Sequence, residues 1–352
     1  MLLTLYSFIL IILLFWGFGC NHSHEENNHL LSFDNTTVMR GIAILMVVIH
    51  HLSLWFGTNI LTSWGGGGVA IFMILSGYGL SMSYQKSGVK RFWWKRIVGI
   101  FIPWLVVILI TMQPWNLLGY QWFWKYLFFI DYGPWYMQYL FVWYILFFVA
   151  HCSQWTYRIR WYIIGIAALL MFLYWGPLQQ EQSLCFPLGM WIGEHYEQVK
   201  KPSKHAYLRL SVIAAIIAIA ALGAKQIPYI RSDISSWTFI TLQVILKTSM
   251  AIAVMAAVPF ITKIKNSRFL LFTGVISYEM YLIHGFIYEK LLEFTETITG
   301  TGTVLSTLHL SILFILCFWA ILYAACYLIY RLDEGLAHLL NNIRNSLTKQ
   351  QQ

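Results

Sequence analysis

Long apolar runs constrain the fold of this chain more than any other feature of its sequence. A helix needs about 20 apolar residues to cross the ~30 Å hydrocarbon core of a bilayer. Runs close to that length occur at 2–19, 38–57, 67–84, 97–112, 136–152, 161–175, 206–223, 237–260, 269–289 and 304–330, with a shorter one at 183–195. Because single apolar segments cross lipid as helices, we predict an all-α, polytopic membrane bundle of about 11 transmembrane helices.

The charge distribution supports this class and predicts an orientation. Of the 352 residues, 59% are hydrophobic and only 11% are charged, whereas about a quarter of residues in a soluble domain carry charge. The formal net charge of +9 comes from Lys and Arg in short loops, chiefly 86–96, 158–160, 200–209 and 263–268. All four loops fall on one side if the run at 183–195 crosses, so we assign that side to the cytoplasm and exclude nucleic-acid binding.

The sequence predicts one membrane domain with short flanking segments. We place an apolar span at 1–20, a polar linker at 21–37, the membrane domain at 38–330 and a polar, helical cytoplasmic tail at 331–352. Residues 1–20 permit an uncleaved span, a signal peptide or a lipoprotein signal ending at Cys20, and we favour the span because no Lys or Arg precedes the apolar core. The histidines and glutamates of 22–29 are interpreted as a solvated loop, and no metal site is predicted.

The run at 38–57 carries ionisable residues where lipid tolerates them only with a partner or a wet cavity. Arg40 and His51 are eleven residues apart, so they share one helix face and lie about 16 Å apart along it. We expect Arg40 at the cytoplasmic surface and His51 near mid-depth. Alone, Arg40 is typical of a positive-inside anchor, but a neutral imidazole such as that of His51 can take a proton from a hydroxyl near pH 7. His50 is a weaker candidate, since it lies about 100° around the helix.

Four consecutive glycines, Gly65 to Gly68, open the next run. Glycines let a ligand or another helix approach the backbone closely. A phosphate-binding loop is excluded because no Gly-Lys-Ser/Thr follows and no strand precedes.

An ordered set of motifs resembles the acyltransferase-3 family of integral membrane O-acyltransferases. The set comprises Arg40 and His51, then Gly68, Val69, Phe72, Ser76, Gly77 and Tyr78, then Arg96, Ile97 and Pro103, then Pro134, Trp135, Tyr136, Tyr139 and Leu140, then Phe186, Pro187, Leu188, Gly189, Met190 and Gly193, and finally Ser277, Tyr278, Tyr281, Leu282 and His284. The resemblance covers roughly residues 36–330 in the family's order, and the run at 2–19 precedes this core.

The resemblance implies ten core helices and transfer of an acyl group, commonly acetyl, from cytoplasmic acyl-CoA to a hydroxyl. The acceptor would be an extracytoplasmic or lipid-linked glycan, and the location a bacterial cytoplasmic membrane. It implies catalytic roles for Arg40 and His51 as an Arg-x10-His pair. We add His284 to the catalytic set, because Ser277 and His284 are seven residues apart and share a helix face. The alternative for His284 is a polar bond between helices.

The remaining candidates divide between donor, acceptor and structure. We assign Arg91, Lys95, Arg96, Gly68 and Ser76 to the acyl-CoA donor, since guanidinium groups bind phosphate oxygens well; the alternative for the cations is orientation and contact with anionic lipid. Trp135, Tyr136 and Tyr281 are assigned to substrate binding.

Lys247 and Glu279 lie at similar predicted depths in neighbouring runs. We therefore expect them to pair or to share a polar network inside the bundle, because charged groups within a membrane need partners.

A transporter or flippase for a glycan or lipid is the rival interpretation, with the same residues forming a polar path. Secondary transporters usually carry internal repeats with interrupted helices in paired positions, and the sequence contains neither signal. The residues leave open the acceptor, the acyl chain length, a covalent acyl-enzyme and the oligomeric state.

Overall fold

The computed structural model describes residues 31–59, 61–111, 135–300, 302 and 307–350, which form helices and no strand. We label the helices of eight or more residues α1 (Phe33–Trp55), α2 (Thr62–Ser87), α3 (Phe92–Thr111), α4 (Trp135–His151), α5 (Arg160–Tyr174), α6 (Cys185–Glu194), α7 (Lys204–Ala224), α8 (Trp237–Ala257), α9 (Arg268–Val275), α10 (Ser277–Thr299) and α11 (Leu308–Gln350). The predicted all-α class is confirmed for these residues.

The predicted count of about 11 spans is not confirmed. Within the described residues, six helices are long and apolar enough to cross a membrane, or up to seven if α9 and α10 form one bent span. The six are α1, α2, α3, α7, α8 and α11. Helix α5 has 15 residues and α6 has only 10, so the apolar runs at 161–175 and 183–195 are shorter as helices than a full crossing requires. The run at 2–19 lies outside the described residues.

The chain divides into two compact units. The first unit contains residues 31–89 and 139–275, and the second contains 90–111, 135–138 and 276–350 among the described residues. In the first unit, 72% of the apolar window of α1 is buried, against 22% for α7. Helix α1, which carries Arg40 and His51, is therefore central to its unit, whereas α7 lies at the periphery.

Helix α1 begins earlier than the apolar run suggested. The side chain of Ser32 caps it by accepting a hydrogen bond from the backbone N–H of Asn35 at 3.3 Å, and Asp34 lies in the first turn. A serine cap and an acidic first turn both stabilise a helix N-terminus. The first helical residue is thus Phe33, inside the segment that we predicted as a polar linker.

The apolar run at 269–289 is not one straight helix. Helices α9 and α10 meet at Ile276 with a bend of 77°. Helix α11, by contrast, continues from Leu308 to Gln350 without a break. The polar tail predicted from residue 331 is therefore helical and continuous with the preceding apolar segment.

An ion pair fastens the two short helices α5 and α6 to each other. The Nε and Nη2 atoms of Arg160 donate to the two carboxylate oxygens of Glu194 at 2.8 and 3.0 Å, and the indole N–H of Trp161 donates to Glu194 Oε2 at 3.1 Å. Two parallel bonds of this kind fix orientation as well as distance. They hold the start of α5 against the end of α6.

Candidate functional site

Close backbone contacts at glycines hold α1 on two sides. A Cβ added at Gly68 in α2 would lie less than 3.0 Å from the Ala43 carbonyl oxygen, and one added at Gly274 in α9 would lie equally close to the Thr37 carbonyl. Neither neighbour is a flexible side-chain end that could move aside. The two glycines therefore set the distances of α2 and α9 from the helix that carries Arg40 and His51.

The glycine run contacts helices and side chains rather than forming a loop. All four glycines lie within α2. A Cβ added at Gly65 would lie 2.5 Å from Cδ2 of His50, and one added at Gly66 would lie less than 3.0 Å from the ammonium of Lys247. The sequence left open whether a ligand or another helix approaches these glycines. In the structure, side chains of α1 and α8 approach Gly65 and Gly66.

Arg40 lies inside α1 rather than at its end. It follows Phe33 by seven residues, which corresponds to about 10 Å along the axis. Its Nη2 donates to Thr37 Oγ1 at 3.0 Å, and the Thr37 hydroxyl donates in turn to the Phe33 carbonyl at 2.8 Å. The early start of α1 places the half-buried side chain about two turns inside the helix, and its location at the cytoplasmic surface stays a prediction.

His51 is half-buried near the other end of α1. Only four residues separate it from Trp55, the last residue of the helix, which corresponds to about 6 Å. Its ring centroid lies 4.8 Å from that of His50 and 5.8 Å from that of Trp55. His51 thus lies in the last two turns of α1, and its depth in the membrane stays a prediction.

A polar cluster lies beside the histidines, where the first turns of α2 meet α8. The Nζ of Lys247 lies 3.4 Å from Glu181 Oε2, and both side chains are nearly inaccessible. Gln182 donates to the Gly66 carbonyl at 3.0 Å. Since Gly65 and Gly66 are consecutive, the ring of His50 and the ammonium of Lys247 contact neighbouring residues of α2.

Lys225, just after α7, extends this cluster. Its Nζ donates to Ser63 Oγ at 2.9 Å and to Gln243 Oε1 at 3.2 Å. Burial, followed by the nearby charge of Lys247, lowers the pKa of Lys225 to about 8. The group of Lys225, Ser63, Gln243, Lys247, Glu181 and Gln182 is called the lysine cluster below.

Glu181, Gln182 and Lys225 were not among the site residues predicted from the sequence. The available signal was Lys247 itself, since an ammonium inside an apolar helix requires a partner. Glu279, the partner that we predicted, belongs to the second unit, and its pairing or network with Lys247 stays a prediction.

The basic candidates for donor binding lie at the start of α3, in the second unit. Arg91 has φ of 58° and is exposed, as is Lys95, while Arg96 is half-buried with its guanidinium 5.1 Å from the centroid of the Phe92 ring. A π-helical turn, Ile97–Phe101, follows immediately. The hydroxyl of Tyr278 donates to the Ile100 carbonyl within this turn at 2.9 Å.

The aromatic and histidine candidates of the second unit lie on α4 and α10. The rings of Tyr136 and Tyr281 pack edge to face with their centroids 5.1 Å apart. The ring centroids of Trp135 and Tyr136 are 6.2 Å apart. Ser277 and His284 are both on α10 and both buried. The Nδ1 of His284 lies 3.0 Å from the Met280 carbonyl and 2.8 Å from that of Tyr281. The roles of these residues stay predictions.

Two separated motifs meet where α2 crosses α6. A Cβ at Gly77 would lie less than 3.0 Å from the Phe186 carbonyl, and one at Gly189 less than 3.0 Å from that of Ile74. Ser81 Oγ donates to the Met190 carbonyl at 3.3 Å. The motif glycines thus serve helix contact, and half-buried Ser76 lies one residue before this crossing. The donor roles that we predict for Gly68 and Ser76 stay predictions.

Within the described residues, no group of three or more His, Cys, Asp or Glu side chains is placed to hold a metal ion. The histidine-rich stretch at 22–29 lies outside those residues.

The comparisons with known proteins identify the family. A family model described as an acyltransferase domain matches residues 30–331. Searches of curated proteins and of solved structures find no match. The matched range contains Arg40 and His51 of α1, the glycine run and the lysine cluster. The chain therefore belongs to the acyltransferase-3 family, as its motifs predicted, and is a multi-pass membrane acyltransferase that transfers groups other than aminoacyl groups.

Proposed function

We propose that this protein is an O-acyltransferase that moves an acyl group, commonly acetyl, from cytoplasmic acyl-CoA to a hydroxyl of an extracytoplasmic or lipid-linked glycan in a bacterial cytoplasmic membrane. The observation that carries the proposal is the position of His51. It lies on the most buried of the candidate membrane helices described in its unit, beside a second histidine, and the residue itself is only half-buried. An imidazole inside a membrane domain that retains access is suited to general-base chemistry.

The proposed reaction needs one base and one leaving thiol. The acceptor hydroxyl gives its proton to His51, and its oxygen forms a bond to the thioester carbonyl carbon. The carbon–sulfur bond breaks, and the thiolate of CoA takes up a proton. Exclusion of bulk water by the packed helices protects the thioester from hydrolysis.

Arg40 is assigned to the donor's end of the same helix face. Its guanidinium is tethered by Thr37 Oγ1 at 3.0 Å, which restricts its rotamers and prepares it for a phosphate or carbonyl oxygen. Arg91, Lys95 and Arg96 supply further positive charge at the predicted cytoplasmic start of α3 for the phosphates of CoA. Trp135, Tyr136 and Tyr281 are assigned to the acceptor sugar, and His284 to its hydroxyl.

The test uses purified full-length protein in detergent, labelled acetyl-CoA and a mixture of glycan acceptors. Replacing His51 by Ala should lower acyl transfer by about 100-fold or more, while the protein stays in the membrane and elutes as a single species. The control is His205→Ala, at an exposed position of α7. Full activity in the His51 variant would remove the assigned role.

A second measurement separates the enzyme from a carrier and tests Arg40. A glycan or lipid transporter would leave the thioester intact, so an absence of thioester consumption by the wild-type protein contradicts the proposal. Arg40→Ala should raise KM for acetyl-CoA more than it lowers kcat. Arg158→Ala, at an exposed position, should change neither.

A further inference from the structure

The lysine cluster contains two ammonium groups but only one carboxylate. Lys247 is paired with Glu181 at 3.4 Å. Lys225, among the described residues, bonds only to a neutral hydroxyl and a neutral amide oxygen. Two ammonium groups therefore share one carboxylate, which leaves about one net positive charge in a partly buried position, where charges are normally paired.

The geometry at Lys225 is that of a held, partly open cation. An ammonium has three N–H donors, and two are engaged by Ser63 and Gln243. The side chain remains half-buried rather than sealed. Its two anchors come from α2 and α8, so the ammonium is fixed between helices while one donor stays available.

The cluster is adjacent to the proposed catalytic histidines. Ser63, Gly65 and Gly66 lie on the first turns of α2 and contact Lys225, the ring of His50 and Lys247, respectively. The ring of His50 lies 4.8 Å from that of His51. An anionic group held at Lys225 would therefore place the rest of its molecule near His51.

We propose that the lysine cluster binds a negatively charged group of the acceptor, a carboxylate or a phosphate, through Lys225, so that the acceptor is an acidic sugar or a sugar phosphate. This inference rests on the proposed transfer to a glycan hydroxyl and adds the charge of that glycan. Lys225 makes the direct contact. Lys247 and Glu181 act as positioning residues that keep the first turns of α2 in place.

A structural role for Lys225 makes a different prediction. If the ammonium only ties α7 to α2 and α8, its removal weakens the fold and affects neutral and anionic ligands equally. If it binds the anion, its removal abolishes the preference for the charged ligand. The ratio of two affinities therefore separates the two roles.

The experiment measures binding of glucuronate, glucose 1-phosphate and glucose to the purified full-length protein in detergent, without acyl-CoA, by titration calorimetry. The wild-type protein should bind one or both anionic sugars about tenfold more tightly than glucose. Lys225→Gln should reduce that ratio to near one. Lys225→Arg should retain it, and Lys290→Gln, which removes an exposed cation paired with Glu293, should leave it unchanged.

Each outcome bears on the proposal. Preference for glucuronate indicates a carboxylate, and preference for glucose 1-phosphate indicates a phosphate. An absence of preference in the wild-type protein, including an absence of binding, overturns the proposal, as does a preference that survives in Lys225→Gln. Because the assay contains no acyl donor, failure of acyl transfer would not alter its result, so the two proposals can fail separately.

Discussion

The ammonium of Lys247 packs against Gly66, the residue that follows the glycine contacted by the ring of His50. Two consecutive glycines of α2 thus contact two ionisable side chains, one from α1 and one from α8. Any larger residue there displaces one of them. The glycine run consequently couples the position of the proposed catalytic helix to that of the lysine cluster.

The first prediction is a graded effect of alanine along α2. Gly68→Ala should destabilise the protein by about 1–3 kcal/mol, since its Cβ would meet the Ala43 carbonyl, part of a helix backbone. Gly66→Ala should cost less, because the displaced group is the end of a flexible side chain. Gly79→Ala, in open space on the same helix, should be neutral or stabilise by up to about 1 kcal/mol. Thermal unfolding in detergent measures the order, and equal effects at positions 68 and 79 would contradict it.

The second prediction concerns the ion pair between Lys247 and Glu181. Removing either partner leaves a buried charge, so Lys247→Met or Glu181→Leu alone should destabilise the protein by about 3–5 kcal/mol. The double variant should recover most of that loss, because neither charge remains. A double-mutant cycle of unfolding free energies gives the coupling. Additive losses would show that the two groups do not interact.

The third prediction is a pH dependence from Lys225. Its pKa in the folded protein is about 8, against 10.5 for the free side chain. The charged and titratable neighbours that influence it are Lys247, Glu181 and Arg231. The folded protein therefore releases this proton first, and between about pH 8 and 10.5 the unfolded chain binds more protons, so the contribution of Lys225 to stability rises with pH.

The measurement is the difference in unfolding temperature between the wild-type protein and Lys225→Gln across that window. The unfolding temperature of the wild-type protein should rise relative to that of the variant as the pH rises above 8. A constant difference from pH 7 to 10 would contradict the lowered pKa.

The fourth prediction tests the support of the π-helical turn after Arg96. Tyr278→Phe removes the hydrogen bond to the Ile100 carbonyl, at a cost of about 1 kcal/mol in stability. Since Arg96 is assigned to the donor, KM for acetyl-CoA should rise with little change in kcat. Tyr229→Phe, at an 89% exposed position, is the control. An unchanged KM for acetyl-CoA in Tyr278→Phe would show that this turn does not contribute to donor binding.

Local periodicity was sufficient for part of this fold. The helical repeat alone places Arg40 and His51 on one face, since both lie on one continuous helix, α1. The apolar runs located the long helices for the same reason. Their ends were less predictable, because the Ser32 cap extends α1 beyond its apolar segment.

Contacts between distant segments were not predictable in the same way. Glu181 lies in a turn between two short helices, 66 positions from Lys247, and no periodic pattern connects them. Predicted depths relate Lys247 only to residues of adjacent runs, and among these Glu279 is the carboxylate at a similar depth. No proline lies near the bend at Ile276, and hydropathy alone does not predict a change in helix direction.

The shortness of α6 has a consequence for the surrounding lipid. Ten helical residues rise about 15 Å, half of the hydrocarbon thickness, and the turn that precedes α6 carries Glu181 and Gln182. Both side chains are buried and bonded inside the protein, so only the length of the helix is mismatched, and we expect the adjacent bilayer to thin. Under the proposed function, a thinner bilayer beside α6 would shorten the path by which a water-soluble acceptor reaches the two histidines.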